Sequence, residues 1–166
     1  MKHLTPPDSH HLNAAVGWLG LGNWKEANEE LEKIKPNLRA HPVVLQVRCQ
    51  IYFNAGKWDA AAEIAKALTK MTPDDPGAWI SLAYTTRRKD GGGIPAAKEI
   101  LIKAHETFPK EPIIAYNLAC YECQSGHLAE AKAWLNKSYE FGDAKQIKSM
   151  ALDDPDLGPL FQDEQA

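Results

Sequence analysis

Apolar side chains recur along this chain at three- to four-residue spacing, in short blocks that come in pairs around a glycine. Ala14, Ala15, Trp18 and Leu19 precede Gly22, and Trp24, Ala27, Leu31 and Ile34 follow it. Val44, Val47, Ile51 and Tyr52 precede Gly56, then come Trp58, Ala61, Ile64 and Leu68. Trp79, Leu82 and Ala83 stand before the run Gly91-Gly92-Gly93, with Ile94, Ala97, Leu101 and Ala104 after it. Ile114, Leu118 and Ala119 precede Gly126, with Leu128, Ala131, Leu135 and Ser138 beyond. Each block predicts an amphipathic helix, and each glycine a tight turn where a missing Cβ permits a left-handed backbone. The pattern predicts an all-α chain of helix pairs.

The pairs keep a common phase. Ala27, Ala61, Ala97 and Ala131 are separated by 34, 36 and 34 residues. Gly22, Gly56, Gly92 and Gly126 stand five residues before them, and Trp24, Trp58, Ile94 and Leu128 three before. A period of this size means one supersecondary unit copied along the chain. Pro42, Pro76 and Pro112 keep the same phase just ahead of a helical pattern, where proline forfeits no intrahelical bond. Pro73 and Pro109 close the preceding patterns, so Thr72–Pro76 and Phe108–Pro112 read as connectors. Lys89 to Gly93 accounts for the longer interval, as a turn lengthened by two residues. The recurrent alanine is expected where the two helices of a pair press together. A larger side chain there overpacks the contact, at a cost of about 1–3 kcal/mol.

On these residues the chain resembles the tetratricopeptide repeat family. The motifs that carry the likeness are Trp79-x-x-Leu82-Ala83, Gly22-Asn23-Trp24-Lys25-Glu26-Ala27, Gly56-Lys57-Trp58-Asp59-Ala60-Ala61, and Tyr116-Asn117-Leu118-Ala119 with Gly126 to Ala131. The resemblance implies a right-handed superhelical α-solenoid of four helix-turn-helix repeats, about 8–41, 42–75, 76–111 and 112–141. A tail would occupy residues 1–7, and a C-terminal capping helix and tail residues 142–166. Two departures stand out: Arg48 sits where later repeats carry Leu82 and Leu118, and Lys35-Pro36-Asn37-Leu38 predicts a shortened helix and a less regular junction. The resemblance also implies a partner-binding groove along the first helices. Its positions are Leu12, Val16, Leu19 and Gly20, then Gln46, Gln50, Phe53 and Asn54, then Ile80, Tyr84, Arg87 and Arg88, then Tyr116, Cys120, Cys123 and Gln124. Some members of the family grip a C-terminal carboxylate with basic and amide side chains. The charge-assisted donors for such a clamp are missing at Leu12, Val16, Gln46, Gln50, Ile80 and Tyr84.

Composition narrows the function classes. The 166 residues are 44% hydrophobic and 25% charged, as in a soluble folded protein. A net charge of −3 and a pI near 6.1 give no global basic field for nucleic acid. No stretch approaches the roughly 18 apolar residues of a membrane span, and Met1 to Asp8 lacks the apolar core of a secretory signal. Cys49, Cys120 and Cys123 are too few and too odd for a disulfide framework, so a cytoplasmic setting is expected. No cofactor or metal is expected.

Candidate chemistry is thin. Cys120-x-x-Cys123 lies in a predicted helix, without a βαβ context or further zinc ligands, and is read as interior or groove lining. His10, His11, His41, His105 and His127 show no ligand pairing, and Asp153-Asp154-Pro155-Asp156 lacks calcium-loop spacing. Gly91-Gly92-Gly93 lacks the lysine and the preceding strand of a phosphate cradle. Residues 143–150 are expected to form a helix with Ala144 and Ile147 on its apolar side, joined by Ala151. Leu157, Leu160 and Phe161 are expected to dock on the last repeat or the groove, because a terminal repeat must cover its open face. The expectation is a non-enzymatic protein-protein interaction module, monomeric, that binds a peptide or protein segment as scaffold or assembly factor. The alternatives are a small chaperone that escorts secreted bacterial proteins, with a weak dimer, and, remotely, a redox or metal site at Cys120 and Cys123.

Overall fold

A computed structural model describes residues 4–162. Among them are ten α-helices and no strand: α1 (Asp8–Gly20), α2 (Trp24–Lys33), α3 (Pro42–Asn54), α4 (Trp58–Met71), α5 (Pro76–Arg88), α6 (Ile94–Thr107), α7 (Pro112–Gln124), α8 (Leu128–Phe141), α9 (Ala144–Asp153) and α10 (Gly158–Gln162). Single 3-10 turns lie at Pro36–Leu38 and Pro155–Leu157. The all-α pattern of helix pairs read from the sequence is the pattern found. Packing divides the chain at the Gly91-Gly92-Gly93 turn into two compact units, the first carrying α1–α5 and the second α6–α10.

The turns between paired helices share one construction. After α3, the Gly56 N–H donates to Phe53 O and the Lys57 N–H to Tyr52 O, the double closure of a Schellman cap. Gly56 has φ +70° there, a conformation that strains any residue with a Cβ. The same pair of bonds closes α1 at Gly22 and α7 at Gly126. The longer third turn departs from this: α5 closes with Lys89 N–H on Thr85 O, and Gly91 and Gly93 take the positive φ values, 67° and 119°.

In the first unit, α1 packs on α2, α3 on α4, and α5 on α4. Ala15, Ala27, Leu31, Ile34, Val44 and Ile51 form one core, and Cys49, Ala61 and Ala65 a second. The recurrent alanines Ala27, Ala61, Ala97 and Ala131 are all fully buried. At Ala61 the helices approach closely enough for the Cys49 thiol to donate to the Ala61 carbonyl at 3.4 Å. The shortened helix is α2, with 10 residues against 14 for α4, α6 and α8. Its end explains Arg48. Glu32 accepts from Arg48 Nη1 and Arg39 Nη1, each at 2.8 Å, and Arg39 Nε closes on Ile34 O. A guanidinium stem thus fills a junction that leucine fills elsewhere.

In the second unit α7 is buried along most of its length, from Ile114 to Cys123. It packs against α6, α8 and the Pro155–Leu157 turn, and α9 covers α8. Ile147 and Ala151 are the buried side of α9, whose first turn is capped by Asp143. The expected capping helix is therefore present, and Leu157 beyond it is fully buried.

Candidate functional site

Proline at the first position of α3 and α5 sets where each helix begins, and the 3.6-residue period then brings Gln46, Gln50 and Phe53 to one side of α3. Asp75 ties this side to α5. Its Oδ1 caps α5 by accepting from the Gly77 N–H at 2.9 Å, while its Oδ2 accepts from Gln46 Nε2 at 2.8 Å. Between the two helices lies a cleft of about 390 Å³, lined by these residues with Ile80, Ser81 and Tyr84, and floored by Cys49 and Thr85. Burial pushes the Cys49 thiol up to about 11, so it acts as a small apolar surface rather than a nucleophile.

An aromatic cluster closes one end. Phe53 stacks on Tyr84 with centroids 4.4 Å apart, and Trp58 meets Phe53 edge-on at 5.2 Å. The Arg88 guanidinium lies 3.6 Å from the Tyr84 ring centroid and 5.6 Å from that of Trp58. Asp75 precedes α5 and Arg88 is its last residue, so the cleft runs from a carboxylate to a stacked cation. Apolar area sits between, with the exposed Gln50 amide at its edge. Such a surface offers hydrogen bonds to a backbone and flat contact to an apolar side chain.

The residues named from the sequence separate into several places. Gln46, Gln50, Phe53, Ile80 and Tyr84 share the cleft, and Arg88 borders its aromatic end. Asn54 is exposed at the end of α3, and Arg87 is half-buried on α5. Leu12 and Leu19 pack against the α1–α3 core, while Val16 is exposed. In the second unit Tyr116, Cys120 and Cys123 are buried, and the chain's own residues Asp154–Leu157 pack on α7. The Tyr116 hydroxyl donates to Asp154 Oδ2 at 2.9 Å, and Gln124 Nε2 to the Asp156 carbonyl at 3.0 Å. Burial, and then this bond, raise the Tyr116 hydroxyl above its ordinary range. Burial likewise raises the Cys123 thiol, against the direction a redox-active thiol needs. Asp75, Ser81 and Thr85 were not singled out in the sequence; an aspartate directly before a helix-opening proline was the available signal for the first.

Among the described residues no group of three or more His, Cys, Asp or Glu is placed to hold a metal ion, and no helix is long and apolar enough to cross a membrane. No curated protein matches the chain. The sequence pattern described as tetratricopeptide repeat matches residues 42–85, which span α3, α4 and most of α5. The fold is similar to the crystal structure of a thermophilic TPR protein in Thermus thermophilus, at 20% identity and a TM-score of 0.76, covering 95% of this chain and 82% of that one. The tetratricopeptide repeat pattern thus covers residues 42–85, and across nearly the whole length of the chain the likeness to a TPR protein is one of fold.

Proposed function

We propose that the chain is a non-enzymatic protein-protein interaction module whose first unit binds a peptide segment of a partner in the cleft between α3 and α5. The observation that carries this reading is the convergence of side chains from two successive repeats. Gln46, Gln50 and Phe53 meet Ile80 and Tyr84 around one cleft of about 390 Å³. An apolar side chain of the partner seats on Phe53, Ile80 and Tyr84, and the Gln50 amide and Ser81 hydroxyl bond its backbone. Asp75 and Arg88 give the segment a direction, with basic character toward the start of α5 and acidic character toward its end.

The test is selection of a random peptide library on the intact protein, followed by affinity measurements on Tyr84→Ala and Gln50→Arg variants. Peptides selected on the wild type are expected to lose at least about tenfold in affinity with Tyr84→Ala, the loss of a central aromatic anchor. Equal binding by wild type and both variants, with their helical signal intact, would overturn the reading.

A further inference from the structure

The face of α7 that corresponds by repeat to the open cleft is occupied, and its occupant is this chain. Tyr116, Cys120 and Gln124 stand two repeats on from Gln46, Gln50 and Asn54, and one on from Ile80, Tyr84 and Arg88. Asp154 uses both carboxylate oxygens there. Oδ1 accepts from the Asp156 N–H at 2.9 Å and folds the chain into the Pro155–Leu157 turn. Oδ2 accepts from the Tyr116 hydroxyl at 2.9 Å and lies 3.6 Å from the Cys120 sulfur. Two residues on, Gln124 holds the Asp156 carbonyl, and one further on the Leu157 side chain is fully buried.

A hydroxyl and an amide on a first helix holding a carboxylate, a backbone carbonyl and a leucine is the way a groove holds a peptide. The far end of the segment is loosely seated. Leu160 and Phe161 are half-buried over a cavity of about 360 Å³ shared with Leu135, Tyr139 and Leu152. Side chains that stay partly exposed gain less from burial, so this end is the place for opening to start. We propose that the α7 face is a second peptide site, held in cis by residues 154–161 as a resident ligand, and that it accepts from a partner a segment carrying aspartate followed at the third position by leucine. This proposal concerns the second unit alone and does not depend on the reading of the α3–α5 cleft.

Three buried thiols in the full chain make the test direct: Cys120 and Cys123 lie beneath the segment, and Cys49, on the floor of the α3–α5 cleft, is a control that the segment does not touch. Native-state alkylation, followed residue by residue by mass spectrometry and normalised to unfolded rates, is expected to modify Cys120 and Cys123 at least about tenfold faster than the global unfolding equilibrium measured in urea allows, because the segment opens without unfolding of the domain. Asp154→Asn should accelerate Cys120 and Cys123 several-fold further and leave Cys49 unchanged. A synthetic peptide of residues 153–162, added to the Asp154→Asn protein, should slow both thiols again in a saturable manner. A peptide with Leu157 replaced by aspartate should not. Modification of Cys120 and Cys123 no faster than global unfolding allows, or no protection by the peptide, would overturn the proposal and make residues 154–161 a fixed part of the core.

Discussion

Helices α3 and α7 occupy the same place in their repeats, 70 residues apart, yet one lines an open cleft and the other is enclosed. Along α3 the fully or nearly buried residues are Pro42, Val44, Cys49 and Ile51, and Gln46 and Gln50 remain exposed. Along α7 nine residues between Ile114 and Cys123 are buried, among them Tyr116, Cys120 and the carboxylate of Glu122. Helix propensity does not explain this, since both helices have 13 residues and open on proline. The cause lies further along the chain. After α8 come α9 and the Asp154–Leu157 segment, and the latter returns across α7. A repeat array needs a terminal cap, and here the cap also covers the face of α7 that corresponds to the cleft side of α3.

The largest test of this contrast uses the recurrent alanine. Ala61→Leu must push α4 away from α3 against the Cys49–Ala61 contact, and is expected to cost about 1–3 kcal/mol in urea or thermal unfolding. Ala131→Leu, at the equivalent position of α8, is expected to cost more. Helix α7 is held by α6, α8 and the C-terminal segment and has less room to relax, whereas α3 has an open side. A smaller loss at Ala131 than at Ala61 would show that enclosure does not stiffen α7.

How far the sequence reveals this depends on the kind of information each feature needs. Helix pairs, turns and the small alanines depend on local spacing, and the phase of Ala27, Ala61, Ala97 and Ala131 was enough to place them. The Gly91-Gly92-Gly93 run was legible as a longer turn, but not which glycine goes left-handed, because three adjacent glycines offer the backbone several equivalent solutions. Gln46, Phe53 and Tyr84 were expected together by resemblance, and they share one cleft; the Asp75–Gln46 bond across 29 residues that borders it is something no periodicity encodes. The docking of Leu157 was expected from its apolar character. That Asp154 would fasten Tyr116 was not, since an isolated acidic turn carries no sign of its partner 38 residues away.

A middle-sized test sits where α8 ends. The first unit has Thr72 after α4, its hydroxyl bonded to Leu68 O at 2.9 Å, and the second has Gly142 after α8. A Cβ on Gly142 would stand 2.5 Å from Ile147 Cδ1 and 2.9 Å from Pro112 Cβ. Its φ of −119° is open to any residue, so packing against α9 and the start of α7 is what requires glycine. Gly142→Ala is expected to cost about 1–3 kcal/mol, against no more than about 1 for Thr72→Ala, read as shifts in unfolding midpoint. Equal effects would mean that the end of α8 is no tighter than that of α4.

The smallest effect concerns charge. The position that α3 fills with Tyr52 is Glu122 in α7, a carboxylate enclosed by the helices around it. Burial pushes its pKa up, but hydrogen bonds donated by Lys98 and by the His127 ring outweigh burial and hold it below the ordinary carboxylate range. A carboxyl whose pKa is lower folded than unfolded adds stability above its unfolded value, near 4.5, and that stability disappears as pH falls through the folded value. The wild-type urea midpoint should therefore exceed that of Glu122→Gln at pH 7, and the gap should narrow progressively below about pH 4.5. A gap of constant size from pH 7 to pH 3 would mean that Glu122 contributes by shape and neutral hydrogen bonding. Enclosure of α7 would then owe nothing to the charge on Glu122.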